Sequence, residues 1–189
     1  MGRDPRQSTI LEGSPVKINS RSIVGLDTQV LIWAFCERDQ PDIADLINCS
    51  KSIFKFLKKQ EARIVISTVT VAEYLVGIDV REHVRTIKIL EKHFTIAPFN
   101  TRAAMTCAPL FLPSKTLVNE DYTRKVLSAD LKVVASLVSL PCRILILQDT
   151  SCRNIATRAG MQVFSPLEFD TTEQTEFDLP LPSKKKGNA

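Results

Sequence analysis

Short apolar runs alternating with helical stripes predict an α/β protein, a three-layer α/β/α sandwich around a central parallel sheet. Two patterns carry that reading. The runs at Ile23–Leu26, Ile64–Ile66, Thr95–Ala97, Arg143–Leu147 and Gln162–Phe164 lack the two-sided alternation of half-exposed strands, as strands covered on both faces do. Between them lie segments with apolar residues at helical spacing, the order that parallel pairing requires. Ligands of such sheets bind beyond the carboxyl ends of the strands, so the residues that close each run are the first places to look for function.

After the first strand a helix is expected over Thr28–Phe35, with Asp27 or Thr28 as its cap. A second helix spans Pro41–Lys59, where Ile43, Leu46, Ile47, Ile53, Phe54 and Leu57 form one apolar stripe and a proline stands at the start. The second strand leads through Ser67-Thr68 into a helix carrying Glu73. Another helix covers Val80–Lys92, with Val80, Val84, Ile87 and Leu90 on one face. Pro98 ends the third strand, and a helix over Thr101–Phe111 follows. Pro113–Asn119 reads as a loop, and Asp121–Leu140 as a helix broken by Pro141. After the fourth strand a helix spans Arg153–Ala159, with Gly160 suited to the position that terminates it. The polar stretch 1–21 reads as a flexible arm and 169–189 as a flexible tail, leaving 22–168 as the domain.

A chain of 189 residues fits one domain, and 44% hydrophobic with 24% charged residues is ordinary for a globular core. No apolar run approaches the roughly 18–20 residues that span a bilayer, and the N-terminus has no apolar stretch of signal-peptide type, so no membrane and a cytoplasmic location are expected. Cys36, Cys49, Cys107, Cys142 and Cys152 are odd in number and widely spaced, which argues against a disulfide framework and a thiolate metal site. His83 and His93 have no spacing suited to a shared metal. Residues 22–166 carry 18 basic and 14 acidic groups, a mildly cationic body compatible with nucleic acid.

Four acids stand out by placement. Asp27 and Asp149 close apolar runs that read as strands; Glu73 and Asp130 sit in or beside apolar helical segments. Carboxylates are rarely found in such places unless something holds them, because desolvating an unpaired charge costs several kcal/mol. Close carboxylates also raise one another's pKa. Divalent magnesium or manganese relieves both problems, since these ions take hard oxygen ligands and bind substrate phosphate as well. A phosphodiester can then be hydrolysed without a histidine, lysine or serine nucleophile.

The chain resembles the PIN-domain ribonucleases, the family that includes the toxins of VapBC-type toxin–antitoxin pairs. The matching pieces are Val24-Gly-Leu-Asp-Thr-Gln-Val-Leu-Ile, Ile66-Ser-Thr-Val-Thr-Val-Ala-Glu-Tyr, Ala129-Asp-Leu-Lys-Val-Val-Ala-Ser and Arg143-Ile-Leu-Ile-Leu-Gln-Asp, with the close at Ala159-Gly-Met-Gln-Val-Phe-Ser-Pro. The resemblance implies a metal-dependent endoribonuclease in which Asp27, Glu73, Asp130 and Asp149 are the catalytic, metal-binding carboxylates for Mg²⁺ or Mn²⁺. It implies that Thr28 supports them by orienting a ligand or water. It also implies RNA as substrate, an antitoxin protein as partner in the toxin subgroup, and a homodimer. Two positions depart from the family pattern: Leu147 stands where a Thr or Ser is frequent, and Ser151 where a second acid is frequent, with Thr150 and Ser151 as the nearby polar groups.

Other readings fit less well. A phosphatase with Asp-x-Asp chemistry needs an acid at position 29, which is Gln29. A phosphoacceptor receiver domain needs an acidic pair before its aspartate and a late lysine, and neither is present. The non-enzyme alternative is a catalytically degenerate PIN domain serving as an RNA- or protein-binding scaffold.

Overall fold

Five parallel strands form one sheet in the computed structural model, in the order β3-β2-β1-β4-β5. The structure describes residues 17–35, 40–111, 122–169 and 171. The strands are β1 (Ile23–Leu26), β2 (Arg63–Ser67), β3 (Thr95–Ala97), β4 (Ile144–Ile146) and β5 (Gln162–Phe164). The helices among the described residues are α1 (Thr28–Ala34), α2 (Ala44–Lys59), α3 (Thr68–Val76), α4 (His83–His93), α5 (Thr101–Phe111), α6 (Tyr122–Ser139) and α7 (Thr150–Arg158).

The sheet is buried on both faces, and period-two alternation divides its residues between two cores. Val24, Leu26, Ile64, Ile66, Ile144 and Ile146 face a core completed by α1 and α2, with Val30, Leu31, Ile53 and Leu57. Val65, Leu145 and Leu147 face a second core built with α6 and α7, including Leu131, Val134, Leu137 and Ile155. Ile18 and Phe169 are both buried in the first core. The remainder of the arm and tail, and the loop expected at Pro113–Asn119, lie outside the described residues.

Differences from the expected elements are confined to ends. The second and fourth helices each open with a 3-10 turn, Pro41–Ile43 and Val80–Glu82, before the α-helix begins. The last helix begins at Thr150, three residues before the expected Arg153, because Asp149 caps it. Gly160 has φ 76°, the left-handed conformation that ends this helix. Among the described residues no helix is long and apolar enough to cross a membrane.

The chain runs outward from β1 through β2 to β3, then crosses to β4 and β5 on the other side. The strand order therefore reverses between β1 and β4, which opens a crevice at their carboxyl ends. Helix α6 packs chiefly over β2 and β3, and its Leu137 reaches across to β1. A Cβ at Gly25 would stand 2.9 Å from Leu137 Cδ1 and 3.2 Å from Leu145 Cδ1, so a larger residue there requires these buried leucine tips to shift. Gly25→Ala should lower stability by about 1–3 kcal/mol, the usual range for overpacking a tight core. A urea-denaturation midpoint unchanged from the parent would contradict this packing.

Candidate metal and active site

Each of the four acids reaches the β1/β4 crevice by a different route. Asp27 follows β1 directly, and its amide donates to the Ile146 carbonyl at 3.1 Å, which extends the ladder by one residue and pins the side chain to the junction. Asp149 follows β4 and caps α7, its Oδ1 accepting from the Cys152 amide at 2.8 Å. Glu73 lies in α3, the helix that leaves the carboxyl end of β2. Asp130 lies in α6, nine residues before that helix ends at Ser139. At 1.5 Å per residue this places it about 13 Å back along the sheet, roughly the length of a four-residue strand, and so level with the strands' carboxyl ends.

Electrostatics join the four. Burial pushes the Asp27 carboxyl up to about 6; the Thr28 and Gln29 amides oppose the rise, and the charges of Glu73 and Asp149 add to it. Burial also pushes Asp130 up to about 6, reinforced by Asp149, Asp27 and Glu73 and opposed by a hydrogen bond from Ser151. Asp27 therefore feels Glu73 and Asp149, and Asp130 feels all three other acids. None of the ion pairs among the described residues involves any of the four; those pairs are Asp79–Arg81, Glu82–Arg85 and Glu168–Arg153.

Hydrogen bonding distinguishes the four acids further. Asp27 occupies the N-cap position of α1 yet makes no capping hydrogen bond with its side chain. Asp130 Oδ2 is buried with no hydrogen-bond partner among the described residues. The Thr28 hydroxyl donates to Glu73 Oε2, so this threonine orients a carboxylate and does not cap its own helix. Asp149, in contrast, has one oxygen committed to α7.

Sequence reasoning missed the closeness of Cys152 and the specific role of Ser151. Cys152 is buried, and its thiol is pushed far up by burial and then by Asp27, Asp130, Asp149 and Glu73. The available signal was positional, since residues 151 and 152 occupy the first turn of a helix capped by Asp149. Of the basic residues near predicted helix ends, Arg153 is paired with Glu168 at 2.7 Å. Lys132 lines an apolar groove between α5 and α6.

Among the described residues no three Asp, Glu, His or Cys side chains are arranged to enclose one ion. The donor set nevertheless fits a hydrated magnesium-type ion, which keeps several waters and needs only one or two carboxylates. The orphaned buried oxygen on Asp130, with an Asp27 carboxyl held only by the Thr28 and Gln29 amides, is what such an ion would satisfy. A thiolate or imidazole metal is a poorer fit, because the crevice offers oxygen donors and a thiol held protonated.

Three solved structures share this fold. The chain is similar to VapBC2 from Rickettsia felis bound to a DNA fragment from its promoter, at 14% identity and a TM-score of 0.54, over 76% of this chain and 98% of the other. It is similar to VapBC-1 from nontypeable Haemophilus influenzae, at 18% identity and a TM-score of 0.54, over 77% and 98%. It is also similar to DNA-bound VapBC from Salmonella typhimurium, at 14% identity and a TM-score of 0.50, over 77% and 98%. No protein-family model and no curated protein sequence matches the chain. The likeness establishes the fold, in agreement with the PIN-like sandwich that the sequence motifs imply.

A pH dependence follows from the two raised carboxyls. Their unfolded values lie near 4, so their stabilising contribution is complete below about pH 4 and is lost as pH rises through about 6. For metal-free protein, the Tm contribution of these groups should rise between about pH 7.5 and pH 5. Asp27→Asn and Asp130→Asn should each flatten that slope. If thermal melts show the parent slope in both variants, these carboxyls are not held above their ordinary range.

Proposed function

We propose that this chain is a metal-dependent endoribonuclease that hydrolyses RNA phosphodiester bonds as the toxin of a toxin–antitoxin pair. The observation that carries this reading is the electrostatic coupling of Asp27, Glu73, Asp130 and Asp149 at the strand-order reversal, with a buried carboxylate oxygen of Asp130 left without a partner. In this reading Asp27 and Asp130 hold Mg²⁺ or Mn²⁺, with Glu73 and Asp149 completing the site. When bound, such an ion supplies a water acidified toward neutral pH and a counter-charge for the leaving oxygen. Thr28 keeps Glu73 directed into the crevice, and the Ser151 hydrogen bond steadies Asp130.

The partner side of the proposal rests on the fold neighbours, which are VapBC assemblies, two of them described as bound to DNA. An antitoxin protein is accordingly the partner we infer, with a homodimer and a cytoplasmic location belonging to the same reading. A second reading draws on two observations: Asp149 is engaged as a helix cap, and among the described residues no three acids enclose a single ion. A catalytically degenerate scaffold that binds RNA or protein would look the same in this respect.

Labelled single-stranded RNA separates the two. The parent with Mg²⁺ or Mn²⁺ should cleave it; EDTA or Asp27→Asn should remove the activity. Binding without metal-dependent cleavage would favour the scaffold. Asp149→Asn tests the fourth acid, because asparagine caps a helix about as well as aspartate. A role in metal binding predicts a loss of about 10-fold or more in cleavage, the scale on which even supporting groups of metal sites act, with Tm nearly unchanged. Unchanged cleavage would leave Asp149 as a cap alone.

A further inference from the structure

Helix α4 and the 3-10 turn before it present a stripe of cations on solvent, Arg81, Arg85, Lys88 and Lys92, spaced four, three and four residues apart and so on one face. Apolar side chains stand among them: Val80 is 75% exposed, Val84 67% and Ile89 45%. The four cations with Val84 and Ile89 line an open groove of about 650 Å³, and Val80 lies beside it in sequence. Arg81 and Arg85 have acidic neighbours in Asp79 and Glu82, whereas Lys88 and Lys92 have no ion-pair partner among the described residues.

A nucleic-acid backbone would satisfy the cations but leave the valines and isoleucine wet. An acidic peptide with interleaved apolar residues satisfies both, and the chain contains one. Residues 170–181, Asp-Thr-Thr-Glu-Gln-Thr-Glu-Phe-Asp-Leu-Pro-Leu, carry four acids and no base, with Phe177, Leu179 and Leu181 among them. The departure point is within reach. Phe169 follows β5, at the sheet edge opposite β3, and its ring packs on Phe56 of α2 at 6.2 Å. Twelve extended residues reach about 40 Å, about twice the roughly 19 Å between the two edge strands.

We propose that the acidic segment 170–181 docks in cis on the cationic, apolar face of α4. Its Glu173, Glu176 and Asp178 meet Lys88 and Lys92, and its Phe177 and Leu179 cover Val84 and Ile89. The segment thus occupies a face that any acidic partner would have to share. The proposal is independent of whether the crevice cleaves RNA.

The test uses the full chain and a full-chain variant with Glu173→Lys, Glu176→Lys and Asp178→Lys. Amine acetylation of Lys88 and Lys92, read by mass spectrometry at low ionic strength, should be at least threefold slower in the parent. Lys51 and Lys55 on α2 should react alike in both. Carbodiimide should join Lys88 or Lys92 to an acid of 170–181 within single chains at every protein concentration. Equal acetylation rates would overturn the proposal. Cross-links confined to dimers would overturn it in favour of a second copy. Protection that appears only on adding a short RNA, equally in parent and variant, would overturn it in favour of nucleic acid. A Lys88→Glu, Lys92→Glu variant should lose the cross-link, and its signals from α2 would verify that the fold is intact.

Discussion

Packing on both faces of the central strands is the constraint on which the crevice depends. The sheet is covered on both faces, so every strand interior is committed to packing, and chemistry is possible only at the carboxyl edge. Asp27 and Asp149 arrive there simply by following their strands. Asp130 arrives because α6 packs across the sheet over β2 and β3, between α5 and α7, with Leu137 reaching Gly25.

That arrangement sets electrostatics against folding. Asp27 and Asp130 are both held well above the ordinary carboxylate range by burial and by their acidic neighbours, and no ion pair among the described residues relieves any of the four. The fold tolerates this because two large apolar cores surround a small polar edge. It also moderates the strain locally, through the Thr28 hydroxyl on Glu73, the Cys152 amide on Asp149 and the Ser151 hydrogen bond to Asp130. What is left unsatisfied, chiefly Asp130 Oδ2, is oxygen chemistry that a hard cation would complete.

The strands were legible as short runs dominated by apolar residues between helical stripes, and β1, β3 and β5 match the expected bounds residue for residue, although Thr95 and Gln162 open the two edge strands. Helix entries were less legible. Pro41 and Val80 begin 3-10 turns, since a proline or a lone apolar residue marks where a helical pattern starts without specifying which hydrogen bonds form first. Helix α7 starts three residues ahead of the expected Arg153, because Thr150 and Ser151 add nothing to an apolar stripe and only the Asp149 cap marks its entry. The four acids could be picked out from their apolar flanks. Their hydrogen-bond partners could not, for Thr28 and Glu73 are 45 residues apart and nothing in either segment names the other.

Cys152 gives the crevice a chemical bias. Its sulfur is buried within the field of four acids, which holds the thiol far above its ordinary range and keeps it protonated. Thiolate is the form that captures soft metals and reacts with electrophiles or peroxide. At this position the sulfur is therefore a weak nucleophile, and the carboxylate oxygens around it are the stronger donors.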